Sequence, residues 1–232
     1  MKKAITMLLV GMTTLTMAQT TEETQYAAYL TAGKTMWERS ISMAEKEAGA
    51  NSFKKAIAMY GLLNNTMANQ DEDTFDENVD QTIDLLKSIS ESNPDWGEPK
   101  AVLSSVYGLV MAYSPMKGML YGSKSSSLIE EAMRLQPESP MVQKLYAGSK
   151  LYTPTMFGGS PEKAVVAFKE AEKLFELGDT KNDWMYLDTL VGLSLAYIKT
   201  EETELANATL NKAIEIEAEF HWAKSILASL NK

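Results

Sequence analysis

Four segments of this chain end alike. LLKSISESNPDW (85–96), IEEAMRLQPESP (129–140), FKEAEKLFELGD (168–179) and LNKAIEIEAEFHW (210–222) each close an apolar run of helical period. Aligned on that pattern, Ile89, Ala132, Ala171 and Ala213 fall in register at spacings of 43, 39 and 42 residues. A unit of that length holds two helices and their turns but no core of its own. It buries its apolar faces only by stacking on its neighbours. The recurrence therefore predicts an array of helical hairpins over about 75–232.

The rest of the chain agrees with helices. Gly (13) and Pro (7) are few among 232 residues, and helix-forming residues abound. Apolar residues recur at helical spacing nearly everywhere, without sustained period-two alternation or an Asn-Gly or Asp-Gly hairpin signal. Residues 22–47 read as one long helix with Gly49 as its C-cap. A second runs over 51–68 with Asn51 or Ser52 as N-cap. The polar NQDEDTFDEN (69–78) reads as a loop, whose acidic residues favour the start of a helix at 76–91. The expectation is an all-α, antiparallel helical-hairpin array of about eight to ten helices. It would form an open α-solenoid or a closed superhelical bundle in a single domain, 19–232.

The last unit, LDTLVGLSLAYIKTEETELANATLNKAIEIEAEF (187–220), resembles a tetratricopeptide repeat (TPR). Leu190, Leu193, Ser194 and Tyr197 match the large, large, small and aromatic positions of that family's first helix. Ala206, Leu210 and Ala213 match the small, large and small positions of its second. Ala218 stands where a helix-ending proline is usual. Ala164, Phe168 and Ala171 repeat the second-helix pattern in the preceding unit, with Leu145, Ser149 and Tyr152 on its first helix. Ile129, Ala132 and Pro137 keep it in the unit before, and Leu86, Ile89 and Pro94 more faintly. The units are longer than the family's usual repeat, with apparent insertions at 114–125 and 153–160. Residues 22–70 show helices without the signature. The long, degenerate repeats also resemble, more generally, the periplasmic T component of TRAP-type transporters.

The resemblance implies a non-enzymatic scaffold that binds a protein or peptide on a concave face of first helices. On that register the outward positions are Gln143, Tyr146 and Lys150 in one unit. In the last they are Asp188, Val191, Leu195 and Ile198. Chaperone-tail binders of the family hold a terminal carboxylate with Lys and Asn at two such positions. Here Val191 and Leu195 stand in the last unit, which argues against that use and for an apolar partner or coverage by the chain itself. Methionines 111, 116, 119, 133, 141 and 156 lie among Tyr107, Tyr113, Tyr121 and Tyr146, as core filling or as an adaptable apolar groove. The candidate groove residues are thus Tyr107, Met111, Gln143, Tyr146, Lys150, Met156, Phe157, Asp188, Val191 and Leu195. The alternative function is a ligand-handling accessory of a periplasmic uptake system, with a central apolar cavity.

Nothing in the pattern points to catalysis, a cofactor or a metal. There is no Cys and a single His, His221 beside Trp222, and no nucleophile-elbow, zinc-protease or P-loop motif. The acidic DEDTFDEN (71–78) fails as a calcium loop. Phe75 takes the fifth position, Asp76 replaces the turn glycine and Thr82 replaces the closing Glu. PTMFGGSPEKAVVAF (154–168) has glycines ahead of a helix, but no Lys-Ser/Thr pair, and Glu162 in the first turn opposes an anion. It reads as an enlarged hairpin turn with Ser160 as N-cap and Pro161 at the first helical position.

The first residues carry an address. Lys2 and Lys3 precede the uncharged, mostly apolar Ala4–Met17, then Ala18 and polar QTTEET. That is the pattern of a secretory signal peptide, 1–18, cleaved after Ala18. A run of about 14 residues is short for a bilayer span, which needs about 20. The absence of Cys excludes a lipoprotein anchor there. The expected location is periplasmic or secreted, without stable membrane insertion. The formal charge of −9, two units more negative without Lys2 and Lys3, disfavours nucleic acid and anionic membranes.

Overall fold

The computed structural model describes residues 19–230, so the expected signal segment lies outside the described residues. Eleven α-helices run through them: α1 (Thr21–Thr31), α2 (Lys34–Ala48), α3 (Phe53–Asn69), α4 (Glu72–Ser92), α5 (Gly97–Tyr113), α6 (Gly118–Leu135), α7 (Pro140–Tyr152), α8 (Pro161–Glu176), α9 (Trp184–Lys199), α10 (Thr203–Ile216) and α11 (His221–Leu230). Successive helices pair into five antiparallel hairpins, and α11 closes the array against α10.

The four aligned positions are the seams. Ala132, Ala171 and Ala213 are fully buried and Ile89 nearly so, as are Ala164, Ala206 and Ser194. Small side chains there let paired helices approach closely. Two glycines make closer contacts still. A Cβ on Gly61 would lie 2.1 Å from the Trp37 ring, and one on Gly192 would lie 2.5 Å from Phe168.

Local chemistry corrects several expected boundaries. The helix expected over 22–47 is two. Ala32 ends α1 in the left-handed region (φ 49°), and extended Gly33 starts α2. Helical periodicity continues across this break and the left-handed position is held by Ala, so Gly33 beside it is the mark the break leaves in the sequence. The polar stretch expected as a loop to 76 is already helical from Glu72. Asp71 caps it by accepting from the Thr74 amide at 3.1 Å and from the Thr74 hydroxyl at 2.6 Å. The apparent insertion 114–125 is mostly helix. α5 and α6 are longer than their counterparts in the last hairpin, and only the 3-10 turn Pro115–Lys117 joins them. Ser104 and Ser125 pin this long hairpin, each hydroxyl donating to the other's backbone carbonyl at 2.8 and 2.9 Å.

The turn 153–160 is an enlarged corner. Ser160 caps α8 at the Lys163 amide, and Pro161 opens the helix. Gly158 takes φ 94°, and a Cβ on Gly159 would meet the Thr153 carbonyl oxygen at 1.7 Å. Both glycines are therefore required by the turn itself.

The odd-numbered helices form an inner layer. α1, α3, α5, α7 and α9 touch in sequence, and α1 also touches α9. The layer therefore closes on itself. Region 22–70 supplies the first hairpin and the inner helix of the second. One core runs from Ala28 to Ala223, and a second packs α7, α8, α9 and α10 around Ala147, Leu151, Phe168 and Tyr197. Among the described residues no helix is long and apolar enough to cross a membrane.

Candidate binding face on the inner helices

The ring closes through aromatic and polar contacts between its first and last helices. The Tyr29 ring of α1 lies 5.6 Å from both Trp184 and Phe220. Trp184 meets Trp37 edge-on at 5.3 Å, and Tyr60 of α3 at 6.3 Å. The central apolar cavity expected for a ligand-handling accessory is thus occupied at this level by Trp37, Tyr60 and Trp184.

A charge pair sits against this plug. Lys144 of α7, 5 % exposed, reaches the Asp188 carboxylate of α9 at 2.6 Å and lies over the Trp184 ring. The Tyr29 hydroxyl donates to Asp188 at 2.9 Å, across 159 residues of sequence. Burial pulls the Lys144 ammonium down, but Asp188, with Tyr60 and Tyr152, together pull it up by more, and it ends above its ordinary value. Burial and then Asp188 push the Tyr29 phenol well up. Nearby, Tyr26 donates to Glu217 at 3.3 Å, and burial and that charge push it up to about 12.

Lys144, Gly148 and Tyr152 are spaced i, i+4, i+8, so they form one stripe of α7. Tyr152 is 65 % exposed. Even so, its phenol is pushed up to about 12, first by the surrounding protein and then by Asp188. The charges of Asp188 and Lys144 both act on this phenol, which places Tyr152 on the same face as that pair. Gly148 stands between the two, with no heavy atom within 4 Å of a Cβ built on it. Gly148 therefore leaves a side-chain-sized hollow on the inner face, between the buried Lys144 and the exposed Tyr152.

The sequence-derived groove residues do not converge on this hollow. Asp188 belongs to it. Val191 is fully buried in the core rather than lining a groove, and Leu195 is half-buried between the two cores. Gln143, Tyr146 and Lys150 lie off the inner stripe. Gln143 donates to the Pro137 carbonyl at 2.7 Å. Lys150 pairs with Glu130 of α6 at 2.9 Å, over the Tyr146 ring. The fully buried small residue of α7 is Ala147, with Ser149 half-buried and Leu145 buried as expected, and the Lys144–Gly148 stripe lies between the assigned outward positions. Tyr107 and Met111 of α5 turn toward α6, where Tyr107 stacks on Tyr121 at 4.8 Å and Met111 lies by Gly122. Met156 and Phe157 are 82 % and 69 % exposed in the turn before α8. Lys144 was legible only as a lysine inside an apolar-periodic helix four residues from a glycine.

Among the described residues no group of three or more His, Cys, Asp or Glu is placed to hold a metal ion. His221 is exposed, 3.9 Å from Glu219.

No protein-family model matches the sequence, and no curated protein is significantly similar to it. Solved structures do match. A thermophilic TPR protein of Thermus thermophilus is similar over 90 % of this chain and 98 % of its own, with a TM-score of 0.55 at 18 % identity. YrrB, described as a TPR protein with an unusual peptide-binding site, is similar over 85 % of this chain and 89 % of its own, with a TM-score of 0.44 at 18 % identity. The fold is TPR-like over most of the chain. The likeness to the T component of TRAP-type transporters finds no support in these structures.

Proposed function

We propose that this protein is an exported, non-enzymatic TPR-like scaffold that binds a segment of a partner protein on its inner face. One observation carries the reading. The Lys144–Gly148–Tyr152 stripe keeps open space at Gly148 beside the buried Lys144 and Ala147. The hollow offers apolar ring surface, a phenol and a charge pair already satisfied within the protein. That chemistry suits an apolar or neutral polar peptide segment better than a free ion. Export is supported by the signal pattern of 1–18.

The test places a photo-crosslinking residue at Tyr152 in the source cell. A defined crosslinked partner is expected, and Gly148→Trp, which fills the hollow, should abolish the crosslink while leaving the far-UV spectrum unchanged. A crosslink that persists in Gly148→Trp, or its complete absence in the parent, refutes the inner-face reading. Export has its own test: the mature N-terminus should be Gln19, and a chain outside the cytoplasm that begins at Met1 refutes cleavage.

A further inference from the structure

The hairpin α5–α6 departs from the rest of the molecule in charge and surface. The chain holds 31 Asp and Glu residues, yet none falls between Pro99 and Ile129. That stretch carries Lys100, Lys117 and Lys124. Lys100 is engaged with Glu131 at 3.3 Å. Among the described residues neither Lys117 nor Lys124 has a carboxylate partner; Lys124 only overlies the Tyr121 ring, at 5.9 Å. On a protein of formal charge −9 this hairpin is locally less acidic, with Lys117 and Lys124 unpaired among the described residues and Asp84 of α4 the carboxylate that acts on Tyr107.

The same hairpin is apolar where it is exposed. Met116 and Met119 at its tip are 91 % and 98 % exposed, and Leu120 is 57 % exposed. Below the tip a shallow depression of about 370 Å³ opens between the helices, with Leu103, Tyr107 and Leu128 as apolar lining and Lys124 at its edge. The volume is at the small end for a ligand pocket, about 300–1,000 Å³, and the depression is open rather than enclosed. It suits one anchoring side chain of a larger partner better than an engulfed small molecule. The contrast with the last two hairpins is instructive. There Lys212 of α10 is held by Glu172 and Glu176 of α8, and Glu176 also accepts from the Tyr186 hydroxyl at 2.7 Å. Lys117 and Lys124 have no such carboxylate partner among the described residues.

We infer that the outer surface of the α5–α6 hairpin is a second docking site, for an acidic, amphipathic segment of a partner protein. An apolar side chain of the segment fills the depression over Leu103 and Tyr107. Its carboxylates meet Lys124 and Lys117, and its remaining apolar residues lie on Met116 and Met119. Methionine suits such a surface because it adapts to the shape laid on it. The site is separate from the Lys144–Gly148–Tyr152 hollow and does not depend on it.

The test uses the folded protein and a fluorescent helical peptide of about four turns, with Leu and Phe on one face and Glu on the other. A matched peptide carries Lys for Glu. Expected is saturable binding of the Glu peptide, weakened at least about tenfold by Lys117→Glu with Lys124→Glu and by Ser127→Trp, which fills the depression. Gly148→Trp should leave it unchanged. Equal binding of the Lys peptide, loss of binding in Gly148→Trp alone, or no binding up to about 1 mM overturns the inference. Vesicles of phosphatidylcholine and phosphatidylglycerol serve as a competitor. Their binding in place of the peptide, with the same loss in the lysine variant, overturns it in favour of a membrane surface.

Discussion

Removing the carboxylate of Asp188 tests the ring closure directly. In Asp188→Ala the Lys144 ammonium loses its ion-pair partner, at 2.6 Å, and Tyr29 loses its acceptor, at 2.9 Å. Lys144 is 5 % exposed, so water does not replace the lost partner without local opening. Breaking a buried pair from one side costs about 3–5 kcal/mol, against a total stability of about 5–15 kcal/mol for a domain. The orphaned Tyr29 hydroxyl adds about 1 kcal/mol. Urea unfolding at pH 7, followed by tryptophan fluorescence, should therefore show a loss of about 4 kcal/mol. Trp37 and Trp184 sit at the closure and report on it. The double variant Lys144→Met/Asp188→Leu should recover most of the loss, because it removes both charges from the interior. The single variant should also regain stability as pH rises. Its isolated Lys144 has a depressed folded-state pKa, so above that value the unfolded state binds more protons and alkalinity favours the fold. The parent behaves in the opposite sense. Its Lys144 is raised, so the pair contributes fully below the unfolded lysine value and is lost as pH climbs through the folded one. A loss below about 1 kcal/mol in Asp188→Ala, with no pH recovery, would refute the claim that this contact ties the ring.

Other substitutions probe other parts of the argument. Gly61→Ala puts a methyl 2.1 Å from the buried Trp37 ring and should cost about 1–3 kcal/mol or more in thermal or urea unfolding. Gly159→Ala drives a Cβ into the Thr153 carbonyl and should rearrange the 153–160 turn; amide exchange there should rise while the distant α1–α3 amides keep their protection. Met156→Ser with Phe157→Ser should change stability by no more than about 0.5 kcal/mol, since both side chains are exposed. Spectrophotometric titration should find Tyr26 and Tyr152 ionising near pH 12. Because folding raises these phenols, they make stability fall as pH rises above the ordinary tyrosine value, and Tyr152→Phe should lessen that fall.

The architecture was legible because it rests on residue size at fixed intervals. Ala132, Ala171 and Ala213 can occupy those seams because larger side chains would separate the helices, and that requirement recurs in the sequence. Capping was legible for the same local reason at Ser52 and Ser160, and Gly49 does end α2. What stayed hidden depended on distant partners or on small angular offsets. The break at Ala32–Gly33 uses a left-handed alanine, which no sequence rule favours, and Gly33 beside it is its mark in the sequence. On α7, Tyr146 and Lys150 stand two residues from Lys144 and Gly148, about 200° around the helix axis, so assigning the outward face to them hides the Lys144 stripe. The meeting of Tyr29 with Asp188 has no local signal at all, because neither residue's neighbours mention the other.

That meeting alters how such an array comes apart. Where repeats touch only their neighbours, the chain behaves as a one-dimensional stack, and a terminal unit can unzip while the rest persists. Here the first inner helix is also a neighbour of the last, so releasing either end breaks two interfaces. Contacts spanning 159 residues, like Tyr29 to Asp188, also raise the mean sequence separation of the native contacts. Such a chain gives up the fast, piecemeal folding of a linear solenoid, and its two ends lose or gain structure together.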